Sequence, residues 1–368
     1  MKKILVTGEK LFLNRHKYLF TELSKYGGEW NYLTIPQLYE PRIYRRFMRL
    51  LYCLTHGVSL SNSDGFFKNS KAFIKRSERI EQHIKQLEYT PNLVFHLFSM
   101  CCPFWSNFEI PYMMYLDYTM NLAHKNYPSF APFSNSQELQ SWLKCERKAY
   151  DNCKHLFTMS HLVKNSLVKD YGIDSDKITV IGASGNFEFP YKSDKEKIFG
   201  SQQILFNGSD FQRKGGDLVL EAFKQVKQAL PKAKLVVIGQ NINTFIEGVE
   251  NPGEVVSPDD LKNIFLKTDL VVAPARCEPF GVFLIEAMNF GVPCIVSANE
   301  ANGITDFLEH EVDSIIIHQP NPQMLAVQII NLLCNTNRLK SMSKAAQIKV
   351  KNNLNWKDIA AKVSPYIT

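Results

Sequence analysis

The sequence predicts an α/β protein made of two doubly wound domains, each with a parallel sheet covered by helices. Short apolar runs alternate with longer amphipathic runs along most of the chain, a pattern typical of βα repeats. The length of 368 residues also exceeds that of a typical single domain. The alternation breaks around Pro190, where a charged stretch follows. We therefore predict an N-terminal domain over residues 1–185, a linker over 186–200 and a C-terminal domain over 201–346.

Apolar runs of strand length recur through the N-terminal half, and an amphipathic run of helix length follows one of them. The predicted elements are strands Ile4–Thr7, Leu93–Leu97, Pro111–Tyr115, Leu156–Thr158 and Lys177–Ile181, and a helix over Ser160–Tyr171. The C-terminal half repeats this pattern more cleanly. Its predicted elements are strands Gln203–Phe206, Lys234–Ile238, Asp269–Ala273, Pro293–Ser297 and Ser314–Ile317, and helices Asp217–Leu230, Asp259–Lys267, Phe280–Phe290 and Pro322–Leu333. Ligands of such sheets bind beyond the carboxyl ends of the strands, so we expect the site in a cleft between two facing domains.

The composition excludes several classes of protein. The eight cysteines form no C-x-x-C pair, which indicates free thiols in a reducing cytoplasm rather than a disulfide framework. No apolar run reaches the roughly 18 residues that a transmembrane helix needs. The net charge of +7 suits phosphorylated ligands or anionic surfaces, but no nucleic-acid-binding module accompanies it. No G-x-G-x-x-G follows the first strand, which disfavours an NAD-dependent oxidoreductase.

The first candidate site segment runs from Leu205 to Asp217 and reads L-F-N-G-S-D-F-Q-R-K-G-G-D. A predicted strand ends here, and two glycines open the next helix, whose free backbone N–H groups attract phosphate. Arg213 and Lys214 add two full charges beside them, which suits a diphosphate leaving group. The alternative is that both are solvated cations at a turn.

The second segment runs from Cys277 to Ala287 and reads C-E-P-F-G-V-F-L-I-E-A. Pro279 suits the first helical position, and Gly281 permits a ligand to approach the backbone. On a continuous helix Glu278 and Glu286 would lie about 12 Å apart along the axis, which matches a sugar at one end and a ribose at the other. Alternatively, Glu278 caps the helix and Glu286 is solvated.

Together, G-x-D-F-x-R-K-G-G-D and E-P-F-G-x-x-x-x-E resemble the retaining glycosyltransferases of family 4, which have the GT-B architecture. The resemblance is specific over Gln203–Leu333, weaker over Tyr150–Asn186 and thin before residue 110. It implies that Glu278 contacts the transferred sugar and Glu286 the nucleotide ribose. The other residues to which it assigns donor contacts are the diphosphate-binding Arg213 and Lys214 and the backbone amides of Phe280, Gly281 and Val282.

The sequence departs from this family at three places. Where the family has Gly-Arg, this sequence has Gly208-Ser209, and we keep both as candidate donor-binding residues. Because the family's arginine is absent here, Arg213 must supply the guanidinium. The usual Gly-rich loop after the first strand is missing. The family's His-Asp reads Leu116-Asp117, which makes Asp117 a candidate acceptor-side or catalytic residue, or else a turn residue. Residues 347–368 resemble the family's terminal helix, which crosses back to the N-terminal domain.

The resemblance implies an enzyme that transfers a hexose from a UDP- or GDP-sugar to a hydroxyl acceptor with retention at the anomeric carbon. The acceptor would be a saccharide, a lipid-linked sugar or another hydroxyl compound, in polysaccharide, glycolipid or glycoconjugate synthesis. No D-x-D element ends a strand, so we expect neither a metal nor a cofactor. The alternatives are an epimerase or phosphorylase of the same architecture, or a non-catalytic nucleotide-sugar-binding protein.

A basic amphipathic stretch spans residues 41–54. Four arginines follow helical spacing on one face, and four apolar residues follow it on another. The arginines are Arg42, Arg45, Arg46 and Arg49. Such a helix can attach a cytoplasmic protein to the inner face of an anionic membrane. Alternatively, its apolar face packs into the N-terminal core and the arginines are solvated.

Overall fold

The computed structural model describes residues 1–35, 38, 42–57, 65–187, 197–255 and 257–367. The chain folds into two compact units, residues 1–181 with 360–368, and residues 182–359. Most of the predicted linker, residues 188–196, lies outside the described residues. Among the helices described, none is both long and apolar enough to cross a membrane.

The first unit contains a parallel sheet whose six described strands follow the order β2-β1-β3-β4-β5-β6. The strands are β1 (Lys3–Gly8), β2 (Glu29–Thr34), β3 (Leu93–Leu97), β4 (Tyr112–Leu116), β5 (His155–Thr158) and β6 (Ile178–Val180). The helices are α1 (Lys10–Arg15), α2 (Lys17–Ser24), α3 (Arg42–His56), α4 (Ser70–Lys85), α5 (Met120–Asn126), α6 (Ser136–Asn152) and α7 (His161–Tyr171).

The second unit repeats this architecture with six described strands in the order β12-β11-β10-β7-β8-β9, again all parallel. The strands are β7 (Gln203–Gly208), β8 (Lys234–Gly239), β9 (Val249–Gly253), β10 (Leu270–Ala273), β11 (Cys294–Ala298) and β12 (Ser314–His318). The helices are α8 (Gly216–Ala229), α9 (Pro258–Lys267), α10 (Val282–Asn289), α11 (Pro322–Leu333), α12 (Thr336–Asn353) and α13 (Trp356–Ile367).

All ten predicted strands are present, and the edge strands β2 and β9 were not predicted. The central strands β3, β4 and β5 are buried along their whole length, so they read as continuous apolar runs. The β2 strand contains only exposed and half-buried residues, and β9 carries Pro252 and Gly253, which are unfavourable in strands. An edge position tolerates both, because one side of the strand needs no ladder partner.

Helix α13 takes part in both units. Its residues up to Ile359 belong to the second unit, and those from Ala360 onwards belong to the first. In the first unit the Tyr366 ring stacks on the His155 ring with 3.9 Å between centroids. The Lys2 Nζ atom donates to the carbonyl oxygen of Ile367 over 2.9 Å, so both ends of the chain pack in the same unit.

A buried histidine links β1 to β3. His96 has no exposed surface, and its Nε2 lies 3.0 Å from the Cys101 carbonyl oxygen. A carbonyl only accepts, so Nε2 carries the hydrogen and Nδ1 accepts from the Thr7 hydroxyl over 2.7 Å. Burial lowers the pKa of His96 to about 4, so the fold holds the neutral ring.

We expect stability to fall as the pH falls from about 6.5 to about 4. In that window the unfolded chain binds a proton at His96 and the folded chain does not, so acid favours unfolding. One such group contributes up to ~3 kcal/mol of unfolding free energy. Urea unfolding at several pH values would measure this, and His96→Gln should make the acid dependence shallower. The same change at exposed His124 serves as control, and an equal flattening by both variants would contradict the assignment.

Candidate functional site

Arg213 and Lys214 lie in the loop that connects β7 to α8, at the carboxyl edge of the second sheet. Only 8% of Arg213 is exposed, and 14% of the Lys214 side chain. Arg213 Nε donates to Asp210 Oδ2 over 2.7 Å, and its Nη1 donates to the Cys277 carbonyl oxygen over 2.5 Å. The guanidinium thus joins this loop to the loop that follows β10. The alternative that both residues are solvated turn cations is wrong.

The Glu278 carboxylate meets both cations. Its Oε2 lies 3.4 Å from Arg213 Nη1 and 3.4 Å from Lys214 Nζ, while 20% of its side chain remains exposed. Burial lowers the pKa of Arg213, but Glu278 and Asp210 raise that pKa by more, so the net shift is upward. With Asp210, which pairs with Arg213, the cluster holds two cations and two carboxylates, so a bound anion would share the cations with these carboxylates. Such a cluster can bind an anion beside a hydrogen-bond acceptor.

Asn302, which was not predicted from the sequence, holds the backbone of Glu278. Only 5% of Asn302 is exposed; its Oδ1 accepts from the Glu278 N–H over 2.7 Å, and its Nδ2 donates to the Ala275 carbonyl oxygen over 3.0 Å. The side chain therefore ties the Glu278 loop to the end of β10. Asn302 lies in a segment that follows the family pattern, but its separation from Glu278 in the sequence does not predict that the two residues are in contact.

The helix after Glu278 begins later than predicted. Gly281 has φ +96° and caps α10, whose first residue is Val282. Residues 278–281 are therefore a loop, so Pro279 is not the first helical residue and Glu278 is not the cap. The estimate of about 12 Å between the glutamates assumed one continuous helix and does not apply. Phe280 is buried and packs edge-on against Phe307, with 5.6 Å between ring centroids.

Glu286 is buried on α10, and the alternative that it is solvated is wrong. It is 7% exposed, and its Oε1 accepts from the Asn186 N–H over 2.9 Å. A Cβ atom on Gly185 would lie 2.7 Å from Glu286 Cγ, so glycine is the residue that fits there. The Trp356 indole donates to the Gly185 carbonyl oxygen over 2.9 Å. Sequence spacing gives no sign of this chain of contacts, because the partners are backbone groups distant along the chain.

A pocket in the second unit lies beside Glu278 and Lys214. Glu278, Lys214 and Gly281 line it together with apolar residues from three strands and the start of α10. Gly208 ends β7 directly opposite Gly239 of β8, and Ser209 follows with its N–H donating to Asn207 Oδ1 over 3.1 Å. Of the predicted donor-binding residues of this unit, Gly208 therefore ends a strand, Ser209, Phe280 and Gly281 lie in loops that follow strands, and Val282 and Glu286 lie on α10.

Asp117 lies in the first unit, directly after β4, and is half-buried. Burial raises the pKa of Tyr115, and the charge of Asp117 raises it further. His16 lies between α1 and α2, at the same carboxyl edge of the first sheet, and it was not predicted as a site residue. Its ring lies 5.6 Å from the Tyr115 ring, and burial lowers its pKa to about 4. His16 is therefore a neutral ring at neutral pH.

Comparison with known proteins finds a family model that matches part of the chain. The sequence model for glycosyl transferases group 1 matches residues 189–349. An uncharacterized glycosyltransferase of Methanocaldococcus jannaschii is 28% identical over 232 residues, which cover 57% of this chain and 58% of that protein. The chain spans about half the length of the curated relatives it matches.

Two solved structures resemble the whole chain. Sucrose-phosphate synthase from Thermosynechococcus elongatus has a TM-score of 0.71 at 15% identity, covering 100% of this chain and 98% of that one. The Anabaena protein HepE in complex with UDP and glucose has a TM-score of 0.65 at 13% identity, covering 100% and 99%. At these identities the likeness establishes the fold. The predicted fold class, two doubly wound α/β domains of the GT-B kind, is confirmed.

Proposed function

We propose that this chain is a glycosyltransferase that moves a hexose from a nucleoside-diphosphate sugar to a hydroxyl acceptor with retention at the anomeric carbon. The observation that carries the proposal is the meeting of Glu278 with Arg213 and Lys214 at the carboxyl edge of the second sheet. The group 1 match over residues 189–349 covers all three. HepE, which has the same fold, binds UDP and glucose.

The cations would stabilise the leaving diphosphate. Negative charge grows on the diphosphate as the glycosidic bond breaks, and preorganised cations stabilise that charge without reorganising. Arg213 is fixed by Asp210 and Cys277, whereas Lys214 has a longer, flexible stem that can follow the phosphate. Backbone N–H groups from Phe280 to Val282, at the start of α10, would add further donors.

The carboxylates would orient the donor. Glu278 can accept hydrogen bonds from sugar hydroxyls, and Glu286 from ribose hydroxyls, as the family resemblance implies. Glu278 is a counter-ion of Arg213 and Lys214, so a bound diphosphate would share these two cations with it. Asp117 is our candidate for the acceptor side. Because the two cations already supply positive charge, we propose that transfer needs no divalent metal.

A thermal-shift screen against UDP, GDP, ADP and their sugars tests the donor class. A ligand at 100 times its Kd should stabilise the protein by about 2.7 kcal/mol. Incubation with the donor that binds and a set of sugar acceptors, followed by NMR of the anomeric proton, tests transfer and retention. Stabilisation by no nucleotide would overturn the proposal. Binding with epimerised donor and no transferred product would indicate an epimerase, and binding with no turnover a non-catalytic protein.

Gly185→Ala is expected to weaken donor binding by pushing Glu286 out of place. The new Cβ would lie 2.7 Å from Cγ and 3.6 Å from Cα of Glu286, so the helix side chain must move. We expect the KM for the donor to rise about tenfold, since one hydrogen-bonded contact to the ribose is worth ~1.4 kcal/mol or more. Steady-state kinetics measures this. Ser184→Ala, a change at the adjacent buried residue that adds no atoms, serves as control, and equal KM values for both variants would contradict the role.

A further inference from the structure

Helix α3 presents an apolar stripe to solvent. Ile43 is 80% exposed, Phe47 60%, Leu50 47% and Leu54 73%. At about 100° per residue, these four positions fall within about 60° of one another on the helix surface. The alternative that this stripe packs into the N-terminal core is wrong, because all four side chains are exposed. The buried side of α3 contains Cys53, which is 7% exposed.

Such a stripe marks an interaction surface. Single exposed apolar side chains are common on soluble proteins, whereas several large ones in a contiguous patch are characteristic of a surface that binds something. The second unit provides the contrast, because Ile198 and Phe245 are 86% and 97% exposed but lie far apart in sequence on separate loops. A patch that is part of one rigid helix keeps its shape on binding.

The positive charge of α3 indicates which kind of partner fits this surface. The helix contains four arginines and no acidic residue. Arg46 is exposed and borders the stripe, about 40° from Leu50, and Arg42 is exposed in the first turn, about 80° from Leu50. Arg45 and Arg49 lie further round the helix and are half-buried. A second copy of this chain, pairing through the same face, would bring like charges together. An anionic lipid surface instead offers acyl chains for the stripe and phosphates for the arginines.

We propose that α3 lies in the interface of an anionic membrane, with its apolar stripe among the acyl chains and Arg42 and Arg46 at the headgroups. The arrangement differs from the one predicted from sequence, in which all four arginines face the lipid. Since apolar burial is not screened by ions, binding should persist in part at salt concentrations that remove the electrostatic contribution. This inference does not depend on the proposed transfer reaction.

Co-sedimentation of the full chain with vesicles tests the proposal. The vesicles are phosphatidylcholine with and without phosphatidylglycerol, at low and high salt. One variant replaces Ile43, Phe47, Leu50 and Leu54 with serine, and a second replaces Arg42 and Arg46 with glutamine. The matched control replaces the exposed Ile198 and Phe245 of the second unit with serine.

We expect the stripe variant to lose at least about tenfold in partitioning onto anionic vesicles at both salt concentrations. The arginine variant should lose binding chiefly at low salt, and the control should bind as the wild type does. Equal pelleting of the stripe variant and the wild type would overturn the proposal. So would a concentration-dependent dimer in analytical ultracentrifugation that the stripe variant abolishes, because the face would then pair with a second copy.

Fluorescence provides a second readout that does not depend on the four-fold variant being folded. Tryptophan placed at Leu50 should be quenched by vesicles that contain brominated acyl chains, because the proposal puts that position among the chains. Tryptophan at Phe245, on the second unit, should not be quenched. Quenching at neither position would overturn the proposal, even if some protein pellets with the vesicles.

Discussion

Replacing Glu278 with glutamine is expected to lower the turnover of sugar transfer by about 100-fold or more. Glutamine keeps the shape of the side chain, and Asn302 still holds the backbone N–H of residue 278, so the loop should not move. What is lost is the negative charge beside Arg213 and Lys214. A carboxylate accepts hydrogen bonds about twice as strongly as a neutral amide, and the donor sugar gains positive character as its bond to the diphosphate breaks.

The same substitution should leave nucleotide affinity unchanged or slightly increased, because it removes a negative charge from the neighbourhood of a diphosphate. Turnover from initial rates and nucleotide affinity from calorimetry separate the two effects. Glu221→Gln, which removes an exposed carboxylate from α8, is the matched control. A Glu278→Gln enzyme that keeps more than about half of the wild-type turnover would contradict the proposed role.

Arg213→Ala is expected to weaken diphosphate binding and to lower turnover by about 10² to 10³-fold. Added Mg²⁺ should not restore activity, and a chelator should not inhibit the wild type, since we propose that the side-chain cations replace a metal. The variant should also lose about 1–3 kcal/mol of stability, because the buried Cys277 carbonyl oxygen and Asp210 lose their donor. Kinetics and urea unfolding of the same preparation measure both effects.

Arg276→Ala is the matched control for this prediction. Arg276 lies one residue before Cys277, and its guanidinium pairs with the Asp217 carboxylate over 2.8 and 2.7 Å. Its side chain is 43% exposed, and its Nη1 also donates to the Gln212 carbonyl oxygen over 2.5 Å, so it contacts the loop that carries Arg213. If both variants lose diphosphate affinity equally, the loop depends on both arginines for its shape, and Arg213 has no specific role in binding the diphosphate. Strong inhibition of the wild type by a chelator would contradict the metal-free proposal.

Periodicity predicted most of the fold because buried parallel strands and amphipathic helices leave long-range patterns in a sequence. The exceptions have local causes. Edge strands β2 and β9 are half exposed and so lack an apolar run. The start of α10 was misplaced because E-P-F-G reads as a helix start, whereas Gly281 adopts φ +96° and delays the helix to Val282.

The residues of the candidate site could be predicted where they lie close together in a sequence motif. Arg213, Lys214, Glu278 and Glu286 occupy two short segments, and the family pattern identifies both. Asn302 and Gly185 support these residues through contacts with groups distant along the chain, and no sequence period records such contacts. Asp117 stays a prediction, because it lies in the first unit, where the resemblance is thin.

The division of α13 between the two units has a consequence for synthesis on the ribosome. The first unit is finished by the last turns of the chain, where Ala360, Val363 and Ile367 are buried and Tyr366 stacks on His155. Domains usually fold as they emerge, but residues 182–359 must be translated first, which takes roughly 10 to 40 s. During that interval the nascent first half exposes the apolar surface that α13 later covers. A chain that ends before Ala360 is therefore expected to leave this apolar surface exposed and to be prone to aggregation.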